Sequence, residues 1–157
     1  MWRKPVFSIA ALAVVFTVML SAQASGQQPD PVVDGLNKRM RTFFDQIKMS
    51  RIPEAYSELL KTGPLSTRED RKGLEDQTKL IEATYGPYRG DEPVYTKRIG
   101  SDVILAKYLY KCERYPVLWH VTFYQMTTGT DTSRTWQVVS IRFDTDLELL
   151  ALLLRDQ

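Results

Sequence analysis

Residues 101–144, SDVILAKYLYKCERYPVLWHVTFYQMTTGTDTSRTWQVVSIRFD, contain the clearest structural pattern in this 157-residue chain. Three runs within it, SDVILAKYLYKCER, VLWHVTFYQM and RTWQVVSIRFD, are rich in β-branched and aromatic residues that alternate with a period of two. Tyr115-Pro116 separates the first two runs, and a polar, glycine-containing segment at 127–133 separates the last two. We therefore predict three antiparallel strands that form a meander.

The alternation assigns one face of this sheet to the core. If the turn at Tyr115-Pro116 is tight, Cys112 lies opposite Trp119, Tyr110 opposite Val121 and Tyr108 opposite Phe123. The predicted core face then carries Ile104, Ala106, Tyr108, Tyr110, Cys112, Val117, Trp119, Val121, Phe123, Gln137, Val139, Ile141 and Phe143. The opposite face mixes apolar and polar side chains, and a one-residue slip in register would exchange the two faces.

Residues 1–24 have the three parts of a secretory signal peptide. Arg3 and Lys4 precede an apolar run from residue 6 to residue 20, and Ala22 and Ala24 are small residues at the two recognition positions. We predict cleavage after Ala24, export to the periplasm or the extracellular medium, and a linker over residues 25–31. An uncleaved anchor is the alternative, because the apolar run could just cross a bilayer.

Charge and cysteine content exclude several classes of protein. Two of the 21 basic residues and none of the 19 acidic ones lie in residues 1–24, so the remaining chain has no net charge. A basic excess for nucleic-acid or membrane-surface binding is therefore missing. One histidine and one cysteine argue against a transition-metal site, and no cofactor motif is present. Cys112 is expected to be a small buried hydrophobe, with an intermolecular disulfide or a reactive thiol as alternatives.

The segment before the meander predicts three helices. Asp30-Pro31 indicates the start of the first, whose apolar residues recur at spacings of three and four. The second is predicted from about Pro53. The third follows the capping-box sequence Ser66-Thr-Arg-Glu69 and ends at Gly86-Pro87.

A short edge strand is predicted over residues 93–99, ahead of the meander. Three helices followed by about four antiparallel strands give an α+β fold, a single domain over residues 32–157 with the N-terminal helices packed on a curved sheet. The apolar residues 147–154 either cover this sheet or extend into a partner subunit.

A resemblance to a known family is carried by two segments: FFDQIKMSRIPEAYSELL at the first two helices and WQVVSIRFD at the end of the meander. With the element order, they resemble the nuclear transport factor 2-like superfamily, which includes SnoaL-like and cystatin-like folds. Its secreted bacterial members of unassigned function are most similar. The resemblance covers residues 32–146 and implies a cone-shaped cavity between helices and sheet, and often a dimer formed through the sheet.

Tyr108, Tyr110 and Gln137 are the candidate ligand-binding residues, because they are the polar side chains predicted to face such a cavity. For the two tyrosines the alternative is core packing, with each hydroxyl bonded to a partner at the rim. The isomerases and dehydratases of the superfamily place an acid or base beside a tyrosine there, to transfer a proton and stabilise an oxyanion. No carboxylate or histidine shares the predicted core face. We therefore assign no catalytic residue, no metal and no cofactor.

The opposite face offers a candidate subunit interface. It consists of Leu109, Leu118, His120, Trp136 and Val138, since contiguous apolar area is seldom left solvated. His120 is expected to be a strand histidine on this half-buried or dimerising face. The alternative is a general base or a pH-sensitive contact beside Lys111.

Two functions remain open on the sequence. The first is an exported non-catalytic domain that forms a homodimer through the outer face of its sheet and binds a small apolar ligand or another protein. The second is a small-molecule enzyme of the isomerase, dehydratase or hydrolase kind. An inward carboxylate beside Tyr108 or Tyr110 in a cavity would favour the enzyme, and a filled interior would favour the first function.

Overall fold

A computed structural model describes residues 30–127 and 134–148 of the chain. The predicted signal peptide, the loop within residues 127–133 and most of the apolar segment 147–154 lie outside the described residues. The described part is α+β, as predicted. Three helices, α1 (Pro31–Lys48), α2 (Ile52–Leu59) and α3 (Arg68–Tyr85), precede four strands, β1 (Tyr88–Ile99), β2 (Val103–Cys112), β3 (Pro116–Thr127) and β4 (Arg134–Asp144).

Helix α1 begins where the sequence predicts. The Asp30 side chain accepts a hydrogen bond from the Val32 N–H at 2.9 Å, and Pro31 occupies the first helical position, where a missing N–H has no cost. The buried stripe consists of Leu36, Met40, Phe43, Phe44 and Ile47. This stripe packs the helix against the sheet.

The cap of α3 differs by one residue from the prediction. Thr67 rather than Ser66 is the N-cap, and its hydroxyl accepts from the Asp70 N–H at 3.1 Å. Both residue types can cap a helix, so the difference leaves the following apolar stripe unchanged. Thr78 and Ile81 of that stripe are buried.

The sheet is antiparallel with strand order β1-β2-β3-β4. Strand β1 is longer than predicted, because its pairing with β2 continues past Pro93 through two irregularities, between Tyr88 and Gly90 and between Pro93 and Tyr95. A proline is tolerated there because β1 is an edge strand.

The register of β2 against β3 corrects the tight-turn prediction. Tyr108 pairs with Trp119 and Tyr110 with Val117, because residues 113–115 separate the strands. Each partner is four positions away from the predicted one. Since four is even, both strands keep their predicted faces, and every predicted core-face residue of β2 and β3 is buried. His120 consequently pairs with Lys107 rather than with Lys111.

A β-bulge divides β4 into two halves. Phe143 pairs with Trp119 and Ile141 with Val121, so the second half has the predicted orientation. Between Thr122 and Phe123 the register shifts, and Phe123 pairs with Val138. The side chains in the first half of β4 therefore point to the faces opposite to those predicted.

Candidate functional site

Tyr108 and Tyr110 both point from β2 into the interior, and neither hydroxyl is free. Their exposed fractions are 2% and 0%. The Tyr108 hydroxyl donates to Asn37 Oδ1 of α1 at 2.8 Å, and the Tyr110 hydroxyl donates to Glu82 Oε1 of α3 at 2.7 Å. The two tyrosines thus connect the sheet to two different helices.

Aromatic rings fill the space around these tyrosines. Phe44 of α1 contacts Tyr108 and Trp119 edge-on, with ring centroids 5.7 Å and 5.2 Å apart. Tyr110 stacks on Trp119 at 5.1 Å. Phe44 and Trp119 are fully buried, so they occupy the volume in which a ligand between helices and sheet would have to lie.

The pair formed by Tyr110 and Glu82 is the nearest approach to an acid–base arrangement. Glu82 is half-buried in the last turn of α3. Burial, and then Glu82, raise the pKa of Tyr110 well above its usual value, so the phenol stays protonated at neutral pH. Burial followed by Glu82 also raises the pKa of the Cys112 thiol to about 11. Both groups are therefore weak nucleophiles at neutral pH.

Glu82 is not among the residues that the sequence predicted for the site, because the alternation of the strands concerns only residues of the sheet. The carboxylate comes from a helix 28 residues away. Its position directly after the buried Ile81, at the margin of the apolar stripe of α3, was the available signal. A second tyrosine and carboxylate, Tyr88 and Asp91, form a hydrogen bond beside this pair, with the Tyr88 ring 4.8 Å from that of Tyr110.

Gln137 is not brought together with the two tyrosines. It pairs with Tyr124, which lies on the opposite face from the core residue Phe123. Its side chain is nevertheless buried, because the chain after α2 covers it: the Thr62 hydroxyl donates to Oε1 at 2.5 Å, and Nε2 donates to the Thr135 hydroxyl at 2.9 Å. The prediction that Gln137 faces the interior beside Tyr108 is wrong, and the cause is the bulge in β4.

The five candidate interface residues are divided between the two faces. Leu109, Leu118 and His120 lie on the outer face, as predicted. Val138 and Trp136 lie on the core side, because the bulge places Val138 opposite Phe123. Val138 is fully buried and the Trp136 ring packs against the core. The expectation that these two contribute to an outer-face interface is therefore wrong, and a homodimer through the outer face stays a prediction.

An open groove lies between α3 and β4. One part, of about 500 Å³, is lined by Gln77, Leu80, Ile81, Ile141, Arg142 and Phe143. The adjoining part, of about 410 Å³, is lined by Leu65, Glu69, Asp70, Gly73, Leu74, Gln77, Val139, Ser140 and Ile141. The two parts share Gln77 and Ile141, so they form one continuous surface, here called the α3–β4 groove. Leu80 is 65% exposed in it.

Within residues 30–127 and 134–148, no group of three histidine, cysteine, aspartate or glutamate side chains could hold a metal ion. None of the helices in the same residues is long and apolar enough to span a membrane. No family model, curated protein or solved structure matches this chain.

Proposed function

We propose that this chain is an exported, non-catalytic interaction domain of nuclear transport factor 2-like architecture. Its binding surface in this proposal is the α3–β4 groove, and its occupant is an extended, apolar segment of a partner protein. The observation that carries the proposal is the contrast between a filled interior and an open groove.

The lining of the groove supports an extended occupant. Residues 139–143 are consecutive, and all five line the groove. Because successive side chains of a strand point to opposite faces, this lining means that the groove follows the edge of β4. Within the described residues β4 has no strand on that side. Its unpaired backbone groups can therefore accept an added strand.

The dimensions of the groove set the length of the occupant. The β4 wall of five residues is about 15 Å long at about 3.3 Å per residue. The α3 wall from Glu69 to Ile81 is of similar length, about 18 Å at about 1.5 Å per residue. A segment of about five extended residues fits between them. The apolar side chains of Leu74, Leu80 and Ile81 favour apolar residues at alternate positions of that segment.

The proposal is tested with peptides selected from a phage-displayed random library on the wild-type protein. Leu80→Glu places a charge in the groove and is expected to weaken peptide binding by at least about tenfold. Met49→Glu is the matched control, because Met49 is 63% exposed and does not line the groove. We expect Met49→Glu to bind like the wild type.

Hydrogen exchange locates the bound peptide. New ladder hydrogen bonds are expected to slow amide exchange in residues 139–143, in a complex with one peptide per chain. Equal binding by Leu80→Glu, or protection confined to other strands, would contradict the proposal. Light scattering of the protein without peptide measures its mass. The mass of a dimer would show that a second copy of the chain, rather than a partner protein, occupies a surface.

Export is proposed because residues 1–24 have the pattern of a signal peptide. Expression of the full chain in a bacterial host is expected to give a periplasmic or secreted product that begins at Ser25. N-terminal sequencing of that product measures the cleavage site directly. A product that stays in the membrane with Met1 intact would support the anchor instead.

The hydrogen bond between Tyr110 and Glu82 favours a second candidate function, a small-molecule enzyme. Glu82 would act as base and the Tyr110 phenol as donor to developing oxyanion charge, once the substrate displaces the hydrogen bond between them. A titration with small-molecule fragments followed by NMR separates the two candidates. Chemical-shift changes at Tyr110 and Glu82 favour the enzyme, and changes at residues 139–143 favour the interaction domain.

A further inference from the structure

Three cationic or titratable side chains form a row on the outer face of the sheet. His120 in β3 pairs with Lys107 in β2 and with Arg142 in β4. Direct cross-strand partners have Cβ atoms about 5 Å apart, so the three side chains are neighbours on one face. A protonated His120 would therefore face a like charge on each side, from Lys107 and from Arg142.

The row surrounds a depression of about 260 Å³. Besides Lys107, His120 and Arg142, its lining includes the hydroxyl-bearing residues Thr122 and Ser140, and Leu105, Ala106 and Val121 complete it. Ser140 pairs with Thr122, so the two hydroxyls lie beside the row. The depression thus combines cationic donors and hydroxyl donors at one concave place.

Few anionic groups neutralise these donors. Arg142 makes no hydrogen bond or ion pair with any residue in the described ranges, and the Lys107 ammonium lies over the Tyr95 ring at 5.7 Å. The nearest carboxylate to His120 is Asp144, with 4.0 Å between Nε2 and Oδ2. The His120 Nε2 is buried and has no hydrogen-bond partner.

We propose that this depression binds an oxyanion of the phosphate class. A phosphate monoester presents three acceptor oxygens and about two negative charges, which match one ammonium, one guanidinium and two hydroxyls. The depression is distinct from the interior tyrosines. It shares Ser140 and Arg142 with the α3–β4 groove, whereas Lys107 and His120 line the depression alone, and it does not require a partner in that groove.

The test titrates the protein with inorganic phosphate at constant ionic strength, with chloride as the reference anion. The side-chain resonances of His120, the one histidine in the sequence, report binding by NMR. Phosphate is expected to shift these resonances saturably and to raise the imidazole pKa, since the bound charge offsets Lys107 and Arg142 and acts in the same direction as Asp144.

Three variants make the test specific. Lys107→Gln is expected to raise the dissociation constant by about tenfold, the effect of losing one charge-assisted hydrogen bond. Lys107→Arg keeps the charge and retains binding. Lys97→Gln removes an exposed cation from the same outer face outside the depression, and is expected to bind phosphate like the wild type.

Free phosphate and a lipid headgroup are separated by a sedimentation assay with phosphatidylcholine vesicles, with and without phosphatidic acid. Binding to the phosphatidic acid vesicles that depends on Lys107 identifies a membrane lipid as the source, and phosphate binding without vesicle binding identifies a soluble monoester. The proposal is overturned if phosphate shifts His120 no more than chloride does, or if Lys107→Gln and Lys97→Gln bind phosphate equally well.

Discussion

Gly86→Ala is expected to destabilise the folded protein by about 3 kcal/mol. Gly86 caps α3 with φ 91° and ψ 172°, a region of backbone space that is essentially restricted to glycine. Holding an alanine there costs on the order of 1–3 kcal/mol. The alanine Cβ would also lie 2.8 Å from the Glu113 Cβ, a separation that requires one of the two chains to move.

The close approach arises because the end of α3 docks on the β2–β3 turn. The Glu113 N–H donates to the Pro87 carbonyl at 3.1 Å, and the Arg114 N–H donates to the Tyr85 carbonyl at 2.8 Å. Moving Glu113 away strains both hydrogen bonds. We expect this overpacking to add at least about 1 kcal/mol, partly offset by about 0.4–1 kcal/mol from the stiffer unfolded chain.

Guanidinium chloride denaturation followed by far-ultraviolet circular dichroism measures the effect. Gly73→Ala is the matched control in the same helix, because nothing lies within 4 Å of its added Cβ. It is expected to stabilise the protein by about 0.5–1 kcal/mol, since alanine favours a helix interior over glycine.

Two substitutions at Glu113 separate steric clash from backbone strain. Glu113→Gly removes the Cβ and is expected to restore about 1 kcal/mol to Gly86→Ala, whereas Glu113→Ala keeps the Cβ and restores nothing. Both variants lose the exposed ion pair between Glu113 and Arg89, so the free energy of that pair cancels when the two variants are compared. A Gly86→Ala protein within about 0.5 kcal/mol of the wild type would show that neither backbone strain nor a clash acts at this position. Equal rescue by the two Glu113 variants would show that the Glu113 Cβ is not the clashing atom.

Phe44→Ala removes the fully buried ring that contacts Tyr108 and Trp119. It is expected to lower the free energy of unfolding by about 3–5 kcal/mol in the same denaturation assay. A loss below about 1 kcal/mol would show that the interior is not closely packed. The raised pKa of Cys112 predicts that a thiol reagent labels the native protein at pH 8 far more slowly than a free cysteine, and that labelling becomes fast only on unfolding. Burial and then Lys107 lower the pKa of His120, so the folded state binds fewer protons than the unfolded state. In phosphate-free buffer, the contribution of His120 to stability is therefore fully present above about pH 6.5 and is lost at lower pH. His120→Gln is expected to flatten the dependence of the free energy of unfolding on pH. An unchanged pH dependence in this variant would contradict the role given to His120.

The alternation of apolar residues in β2 and β3 was enough to predict which side chains form the core. Tyr108, Trp119 and Phe123 are buried as predicted, even though their partners across the sheet differ from those of a tight turn. The period of two fixes the face of each residue, while the length of the turn fixes its partner. Glu113 and Arg114 dock on α3, and no local pattern encodes that contact.

In β4 the sequence pattern was correct only after the bulge. Ile141 and Phe143 have the predicted orientation, whereas Gln137 and Val138 exchange faces because one extra residue interrupts the pairing with β3. The run WQVVSIRFD contains neither glycine nor proline at this point, so it gives no local signal of the irregularity. The bulge places Val138 opposite Phe123, where its side chain is fully buried.

The candidate sites depend on tertiary structure more than the helices and strands do. The sequence alone determined the α+β order, the core-facing residues of β2 and β3 and the start of α1 at Asp30, because helix caps and strand alternation are local properties. Only the fold decided that Glu82 meets Tyr110, that Phe44 fills the interior and that Lys107, His120 and Arg142 form a row. These contacts join elements distant in the chain, and the register and the docking of helices on the sheet set them.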